Sequence, residues 1–443
     1  MIVWKFGGTS VADAIQLRHV AELVRDAKEP PVVVVSAMAG ITNILMALRE
    51  ELEAGGKRWG TGILAPLRDQ HLTTAATVSP DPTVATEITE ICFDLEARLA
   101  RGGPRDELAD ELLAVGEDLS ARLLASAIRE LDVPVTFVDA REIIRTDRHF
   151  GAAHPLISEI RRLVSHHLIP LAEAGRVVVT QGFVGATEDG RTTTLGRGGS
   201  DFSATLLGSA LDAEEVRIWT DVDGIFSADP NTVDGARVLS EIGFEEAVEL
   251  SHFGARVLHP GAAKHAVAGG LEVTIRNTSR PDAPGTVVLR DRLGTAGIAA
   301  VVQKPNVVLV KVRALPSAVE YGFLARVFGV LARHAVPVDL VSTSHTSTAF
   351  TIDEGHELGA VIAELKEWAE VETIPGMSTI TVVGHGLLRE PGIVARVFSA
   401  VGSTGIQMVA LASDVSLSFL VDSEEAQAVV RRLHAELVAE KED

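Results

Sequence analysis

The first 36 residues constrain the fold most. MIVWKF at 1–6 and PVVVVS at 31–36 read as short buried strands, and between them Val11, Ile15, Val20, Leu23 and Val24 fall near one face of a helix. Strand, loop, helix, strand is the unit of a parallel sheet, because parallel neighbours need a long crossover and a helix makes it compactly. Helical patterns follow at 43–53, 61–76, 83–100 and 106–130, and apolar strands at 134–138, 176–181, 215–219 and 271–275. A long α/β domain with a mainly parallel sheet is therefore expected over about 1–290, with exposed turns at 55–60 and 101–105.

The segment 277–297 is rich in Pro, Gly, Asp, Arg and Thr and reads as a connection. Beyond it the chain repeats itself. Residues 321–344 align with 391–414 at an offset of 70; five of 24 pairs are identical, four of them consecutive as ARVF at 325–328 and 395–398. Strands before each copy (306–312; 377–383), strands after (347–353; 416–422) and final helices (357–370; 423–439) recur in the same order. Each copy is a β-α-β-β-α unit too short for a comfortable core of its own, so the two are expected to pack together. The strand-like GIAAVV at 297–302 has no partner in the first copy. It is assigned to the second unit, which makes the first an insertion: 305–375 in one, 297–304 plus 376–443 in the other.

Composition narrows the function. Lys plus Arg number 40 against 61 for Asp plus Glu, a net charge of −21. Such a chain repels phosphate backbones, so nucleic acid is an unsuitable main partner, although a local cluster of donors still accommodates a small anion. A single cysteine, Cys92, excludes an internal disulfide and any several-cysteine metal site; it sits in an apolar helical pattern and reads as core. The start lacks the apolar run of a signal peptide, and the most apolar stretch, 31–48, is too interrupted to span a membrane. A cytoplasmic protein is expected.

Three loops carry chemistry. In KFGGTS at 5–10 a buried strand opens into two glycines, two hydroxyls and a helix. Glycine lets backbone N–H groups approach an anion, the helix start adds positive potential, and Lys5 supplies a compact charge, so Gly7, Gly8, Thr9 and Ser10 suit nucleotide phosphates; the alternative is a plain strand-to-helix turn with a surface lysine. No Walker A pattern exists anywhere in the chain. In TTTLGRGGSDFSATLL at 192–207, three glycines surround Arg197 before a helix begins at Ser200 or Asp201; Asp201 reads equally as an N-cap, while Arg197 has the geometry to grip a carboxylate or phosphate through two parallel hydrogen bonds. In IWTDVDGIFSADPN at 218–231 a strand ends at Thr220 and Asp221. An EF-hand is excluded there, because Thr232 occupies the position that requires Glu, and the loop is read as a turn or as a nucleoside pocket at the carboxyl ends of the strands. Thr42 in AGITN stands where a helix begins and reads as a cap or a ligand. Glu117 follows Gly116 on a helix and alone indicates nothing. No G-x-S-x-G elbow and no HExxH occur, and His166-His167 lies on a helix in a polar stretch.

With these motifs in place, the sequence resembles the monofunctional aspartate kinases of bacteria. KFGGTSVAD, AGITN, the Glu117 helix, TQGFVG, GRTTTLGRGGSD, IWTDVDGIF, DPN, FGARVLHP and the paired tail units occur in that family's order along the whole chain. The resemblance implies an amino-acid-kinase α/β domain followed by two ACT domains. It implies transfer of the γ-phosphoryl of ATP to the side-chain carboxylate of L-aspartate, the first step of lysine, threonine and methionine biosynthesis, with Mg²⁺ carried on ATP and no resident metal. It further implies that Lys5 stabilises the phosphoryl and Asp201 orients Lys5. Arg197, Gly198, Ser200, Thr42 and Glu117 would hold the substrate. Thr220, Asp221, Phe226, Asn231, Arg256 and Val257 would line the nucleotide site. Lysine-sensitive members have Arg where this chain has Asn231 and Lys where it has Arg256. An amino-acid effector, lysine or threonine, would sit at Gly322, Phe323, Leu324, Val338, Asp339 and Ser344, beside His345 where some members have Glu. The expected assembly is a homodimer or a dimer of dimers. Two alternatives remain open on the residues: a kinase of glutamate or acetylglutamate on the same fold, and a non-catalytic amino-acid sensor.

Overall fold

A computed structural model describes the chain apart from residues 55–61, 254–260, 262–264, 267–269, 291–296, 316–321, 356–357 and 439–443. It divides into two compact units: residues 1–225, 240–244 and 257–291 form the first, and 226–239, 245–256 and 292–443 the second.

The strands of the first unit are β1 (Ile2–Phe6), β2 (Val32–Val35), β3 (Val135–Phe137), β4 (Val177–Gln181), β5 (Val184–Ala186), β6 (Thr192–Thr194), β7 (Glu215–Thr220), β8 (Glu241–Gly243), β9 (Glu272–Asn277) and β10 (Thr286–Leu289). Eight of them form one sheet in the order β3-β4-β2-β1-β7-β9-β10-β8, and β5-β6 is a separate hairpin. Pairing is parallel from β3 through β9, antiparallel between β9 and β10, and parallel between β10 and β8. Val32–Val35 are all buried, as strands covered on both faces require. The segment read as a bare connection after 277 thus contains a strand. Its four apolar and hydroxyl residues are outweighed in sequence by flanking Pro and Gly, and only pairing with Val273–Ile275 reveals it.

The helices are α1 (Ala14–Arg25), α2 (Ile41–Glu53), α3 (Ala65–Val78), α4 (Pro82–Arg101), α5 (Arg105–Arg129), α6 (Ala140–Ile143), α7 (Ile157–His167), α8 (Ile169–Glu173) and α9 (Gly199–Ala210). The Asp13 carboxylate caps α1 by accepting from the N–H groups of Ile15 and Gln16. The inward stripe of α1 is Leu17, Val20, Ala21 and Val24; Ile15, read as part of it, lies two residues from Leu17, on the far side of the helix, and is exposed.

The long helix α5 is buried along nearly its whole length and packs against α1, α2 and α4. Its Gly116 makes that possible. A β-carbon there would lie 2.8 Å from Ala37 Cβ and 3.2 Å from Ile41 Cγ2, so any side chain pushes α5 away from the loop that links β2 to α2. On the sheet, Trp4, Phe6 and Trp219 project on one face; Phe6 and Trp219 stack at 5.8 Å.

The second unit holds α10 (Phe244–Phe253) except its first residue, the strands β11 (Gly297–Ala314), β12 (Val341–Thr343), β13 (Ser347–Asp353), β14 (Ala369–His385), β15 (Met408–Ser413) and β16 (Ser416–Asp422), and the helices α11 (Phe323–Arg333), α12 (Gly359–Lys366), α13 (Ile393–Val401) and α14 (Ser423–Leu437). Its antiparallel sheet has the order β12-β13-β11-β14-β16-β15. β11 and β14 pair along their lengths: Gly297–Lys304 with Thr379–His385, and Val307–Ala314 with Ala369–Met377. The repeat is visible in space, since α11 and α13 start 70 residues apart behind left-handed glycines, Gly322 and Gly392. One apolar cluster gathers Val310, Val327, Leu331, Phe350 and Leu365; a second gathers Ile380, Val397, Phe419, Val429 and Leu433. The helix expected at 357–370 ends at Lys366, because Ala369 and Val371 already belong to β14 and pair with Ala314 and Val312. Among the described residues no helix is long and apolar enough to cross a membrane.

Gly116→Val is expected to lower unfolding stability by roughly 1–3 kcal/mol, the usual range for overpacking, measured by urea denaturation; an unchanged midpoint would show that the loop at Ala37 yields freely.

Candidate functional site at the carboxyl ends of β1 and β7

Each residue of the loop after β1 is placed by a contact of its own. Gly7 N–H donates to Trp219 O at 3.2 Å, tying the turn to β7. Gly8 presses on the carbonyl of Ala37: a β-carbon would stand 2.9 Å from that oxygen. Residues Gly8–Val11 then make one 3-10 turn before α1. Thr9 is exposed. Ser10 is buried, its Oγ 2.6 Å from Thr278 Oγ1 and its N–H bonded to Gly7 O. Its hydroxyl thus joins the loop to Thr278, just past β9, while its N–H closes the turn on Gly7.

Lys5 Nζ lies 2.6 Å from Asp201 Oδ1, with side chains only 13% and 12% exposed. Asp201 is in the first turn of α9, whose N-cap is Gly198 in the left-handed region (φ 67°), so Asp201 is not the cap. Arg197 stands exposed just before that turn, four residues from Asp201, and Ser200 is half-buried between them. Thr42 is exposed in the first turn of α2; the cap there is Gly40.

Glu117 is buried on α5. Burial pushes its carboxyl up to about 8, and the neighbouring Asp118 charge adds to that; hydrogen bonds from the Ala37 and Glu117 backbone and the Lys5 charge pull the other way. Ala37 thereby joins Glu117 to the loop after β1, since it also meets Gly8. Asp118 has the opposite fate. Burial alone would raise it, but Arg141 grips both its oxygens at 2.8 Å and Gln181 Nε2 donates at 2.7 Å, which holds it below the usual carboxylate range. Two adjacent buried acids are therefore shifted in opposite directions, because Asp118 has Arg141 and Gln181 against it and Glu117 has no such partner to offset its burial.

The structure brings together Lys5, Gly7, Gly8, Glu117 and Asp201. Thr220 closes β7 with its Oγ1 3.2 Å from Asp221 Oδ1. Asp223, in the same turn, accepts from Asn277 Nδ2 at 2.7 Å and pairs with Arg280. Phe226 and Asn231 belong to the second unit, where Phe226 bridges to Val238 and Asn231 donates to Asp229 Oδ1. Arg256 and Val257 lie outside the described residues. Of the expected effector residues, Gly322 caps α11 (φ 96°) ahead of Phe323 and the exposed Leu324. Val338 is half-buried, and Ser344 bonds Ser347. Asp339 pairs with Lys304 and lies 3.5 Å from His252 Nε2.

The residue reading passed over Phe183. Its φ is 67°, unusual for a bulky side chain, and it is held there by its N–H donating to Ser203 Oγ at 2.9 Å. The strain sits where β4 meets α9. The signal was the TQGFVG stretch, whose glycine hides the strain of its neighbour.

An ammonium paired with a carboxylate, beside a glycine loop at the carboxyl edge of a parallel sheet, defines a phosphotransferase of the amino-acid-kinase class. Residues 1–277 match the amino acid kinase family, and residues 380–437 match the ACT domain. The chain is 37% identical over 448 residues to the lysine-sensitive aspartokinase 3 of Escherichia coli, covering 99% of each chain. It superposes on E. coli aspartokinase III in complex with aspartate and ADP (R-state) with a TM-score of 0.83, over 99% of this chain and 100% of that one. It superposes on the complex with lysine and aspartate (T-state) at 0.87, over 99% of each, both at 37% identity. The chain belongs to the aspartokinase family and is an aspartate kinase.

Because Glu117 keeps its proton in the folded state up to about 8 while an unfolded glutamate loses it near 4.5, folding binds a proton between those values. Stability is then full below 4.5 and falls as pH rises toward 8, by a few kcal/mol in order of magnitude. Glu117→Gln is expected to flatten that slope in urea unfolding measured from pH 5 to 8; a parallel slope in the variant would assign the protons elsewhere.

Proposed function

We propose that the cluster around Lys5 performs the transfer of the ATP γ-phosphoryl to the β-carboxylate of L-aspartate. The observation that carries this is the 2.6 Å Lys5–Asp201 pair beside Gly7 and Gly8. An aspartate carboxylate, with a reference pKa near 3.9, is already a nucleophile at neutral pH, so no catalytic base is required. One carboxylate oxygen forms a bond to the γ-phosphorus, the bond from phosphorus to the β,γ-bridging oxygen breaks, and ADP leaves with its electron pair. Lys5 neutralises charge on the phosphoryl oxygens, and Asp201 fixes the ammonium in place. The Gly7 and Gly8 backbone and the Thr9 hydroxyl border the phosphates. Arg197 clamps the substrate α-carboxylate, with Gly198, Ser200 and Thr42 beside it, and Glu117 receives the α-ammonium. Thr220, Asp221, Phe226, Asn231, Arg256 and Val257 are assigned to the nucleotide.

Mg²⁺ fits as an ion carried by ATP. It demands hard oxygen ligands and keeps its waters, and the Asp201 carboxylate beside the loop is already committed to Lys5. When bound it supplies charge neutralisation on the phosphates.

The catalytic domain is assigned to about 1–290, one ACT domain to 305–375 and the other to 297–304 plus 376–443. The pairing of Gly297–Lys304 with Thr379–His385 supports that division. We assign an amino-acid effector to the turn before α11, its carboxylate on the helix start and its amino group toward Asp339; the name of the lysine-sensitive relative favours lysine. Family resemblance and the paired ACT units favour an assembly of two or four chains in the cytoplasm.

Incubation with ATP, Mg²⁺, aspartate and hydroxylamine is expected to yield a hydroxamate, and Lys5→Ala to lower its rate by about 10²–10³, the scale for losing one charge-stabilising donor. Glutamate in place of aspartate is expected to give none, and equal rates with the two would change the substrate assignment. Because binding an ammonium ionises Glu117, aspartate binding releases a proton. KM for aspartate should therefore fall as pH rises toward about 8 while kcat changes little. Glu117→Gln should remove the pH slope and raise KM roughly 10–100-fold at pH 8, the range for a lost charged hydrogen bond.

A further inference from the structure

The loop between α6 and α7 holds a cluster that phosphoryl transfer does not use. Thr146 and Pro155 pair across its base, and Asp147 N–H donates to His154 O at 2.9 Å. The Asp147 carboxylate is held from behind: its Oδ1 accepts the backbone N–H groups of His149 and His154 at 3.1 and 2.9 Å. That leaves Oδ2 facing outward, with His149 Nδ1 and His154 Nδ1 each 2.9 Å away. The two imidazoles meet edge to face with centroids 5.1 Å apart, and the three ligand atoms all lie within 4.8 Å of one another. Among the described residues this is the one group of three His, Cys, Asp or Glu side chains that converge in this way.

We propose that Asp147, His149 and His154 form a three-ligand site for a divalent transition-metal ion of the zinc class. Two imidazole nitrogens and one carboxylate oxygen are the donor set that suits zinc and disfavours magnesium. Ligands about 2.0–2.1 Å from a tetrahedral ion stand about 3.3 Å from each other; the two 2.9 Å separations are within a few tenths of an ångström of that. Without the ion, Nδ1 of each ring donates a proton to Oδ2. On binding, each Nδ1 offers its lone pair instead, and the ring proton resides on Nε2, for which water is at hand because the side chains are 75% and 72% exposed. The fourth position is left to water.

The loop is prepared to hold these ligands. Gly151 N–H donates to both oxygens of the buried Asp110, which also accepts from the Thr194 N–H and hydroxyl, and Ala153 N–H donates to Thr194 O. The tip is thus fastened to α5 and β6 independently of the histidines, so binding orders few further groups. Thr194 lies three residues before Arg197, so an ion clamping the loop would also stiffen the segment that presents that guanidinium.

The test is titration of the untagged, chelator-stripped full chain with ZnCl₂, followed by calorimetry, with Co²⁺ replacing zinc for visible spectroscopy. One Zn²⁺ per chain is expected, with a tetrahedral Co²⁺ spectrum. His149→Gln and His154→Gln should each weaken binding at least about tenfold, and the double variant should abolish it. Asp147→Asn retains an oxygen for the two backbone N–H groups while removing the charge, and should weaken binding without altering the circular dichroism spectrum. His166→Gln/His167→Gln should change nothing, and millimolar Mg²⁺ should not displace the ion. Equal zinc uptake by the wild type and the double variant, loss of binding in the His166/His167 variant, or displacement by Mg²⁺ would each overturn the assignment.

Discussion

The contact between Lys5 and Asp201 organises the first unit. Removing two charges from water costs several kcal/mol per ion, and that cost is offset only if each finds the other in good geometry. Lys5 comes from the second-last residue of β1 and Asp201 from the first turn of α9, elements separated by nearly two hundred residues of chain. The pair therefore holds only when β1 lies between β2 and β7 and α9 starts at the left-handed turn of Gly198. The same geometry leaves a positive charge at the end of a strand, next to backbone with no β-carbons in the way. Structure and chemistry share one interaction there: what makes the ammonium tolerable inside the fold also aims it.

Around that pair the packing is close enough that single atoms decide it. Ala37 touches three things at once: its carbonyl meets Gly8, its methyl meets Gly116, and its N–H meets Glu117. The loop after β1, the β2–α2 loop and α5 are thereby positioned by one small residue. Helix α5 brings two adjacent acids to this region. Arg141 neutralises one; burial keeps the other protonated up to about 8.

The second unit solves a different problem. Two units of about 65 residues each bury too little alone, and here they share β11 and β14, strands of 18 and 17 residues that run through both. Each half keeps its own apolar cluster while the sheet is common. Lys304, in the middle of β11, pairs with Asp339 and Asp353, which ties the strand to the segment before β12 and to the end of β13.

Much of this was legible in residues alone. The period-3.6 and strand runs located β1, β2, β4, β7 and α1 to α5, because burial on both faces of a parallel sheet leaves uninterrupted Val and Ile. The offset-70 repeat located the paired tail units, because equivalent positions keep equivalent packing. Lys5, Arg197 and the glycines around them stood out because a basic residue set among glycines is a pattern that few ordinary turns need. What the sequence could not decide are relations between distant segments. Ser10 shows its hydroxyl against Thr278 only once folded; Glu117 looks like a surface glutamate until Ala37 and Gly116 bury it; Asp201 reads as a cap until Lys5 takes it; β10 appears only beside β9. In each case the deciding partner lies far along the chain. Local composition determines which elements form and what chemistry they carry, whereas protonation state, ion pairing and solvent exposure depend on which distant atoms share the same few ångströms, and only folding sets that.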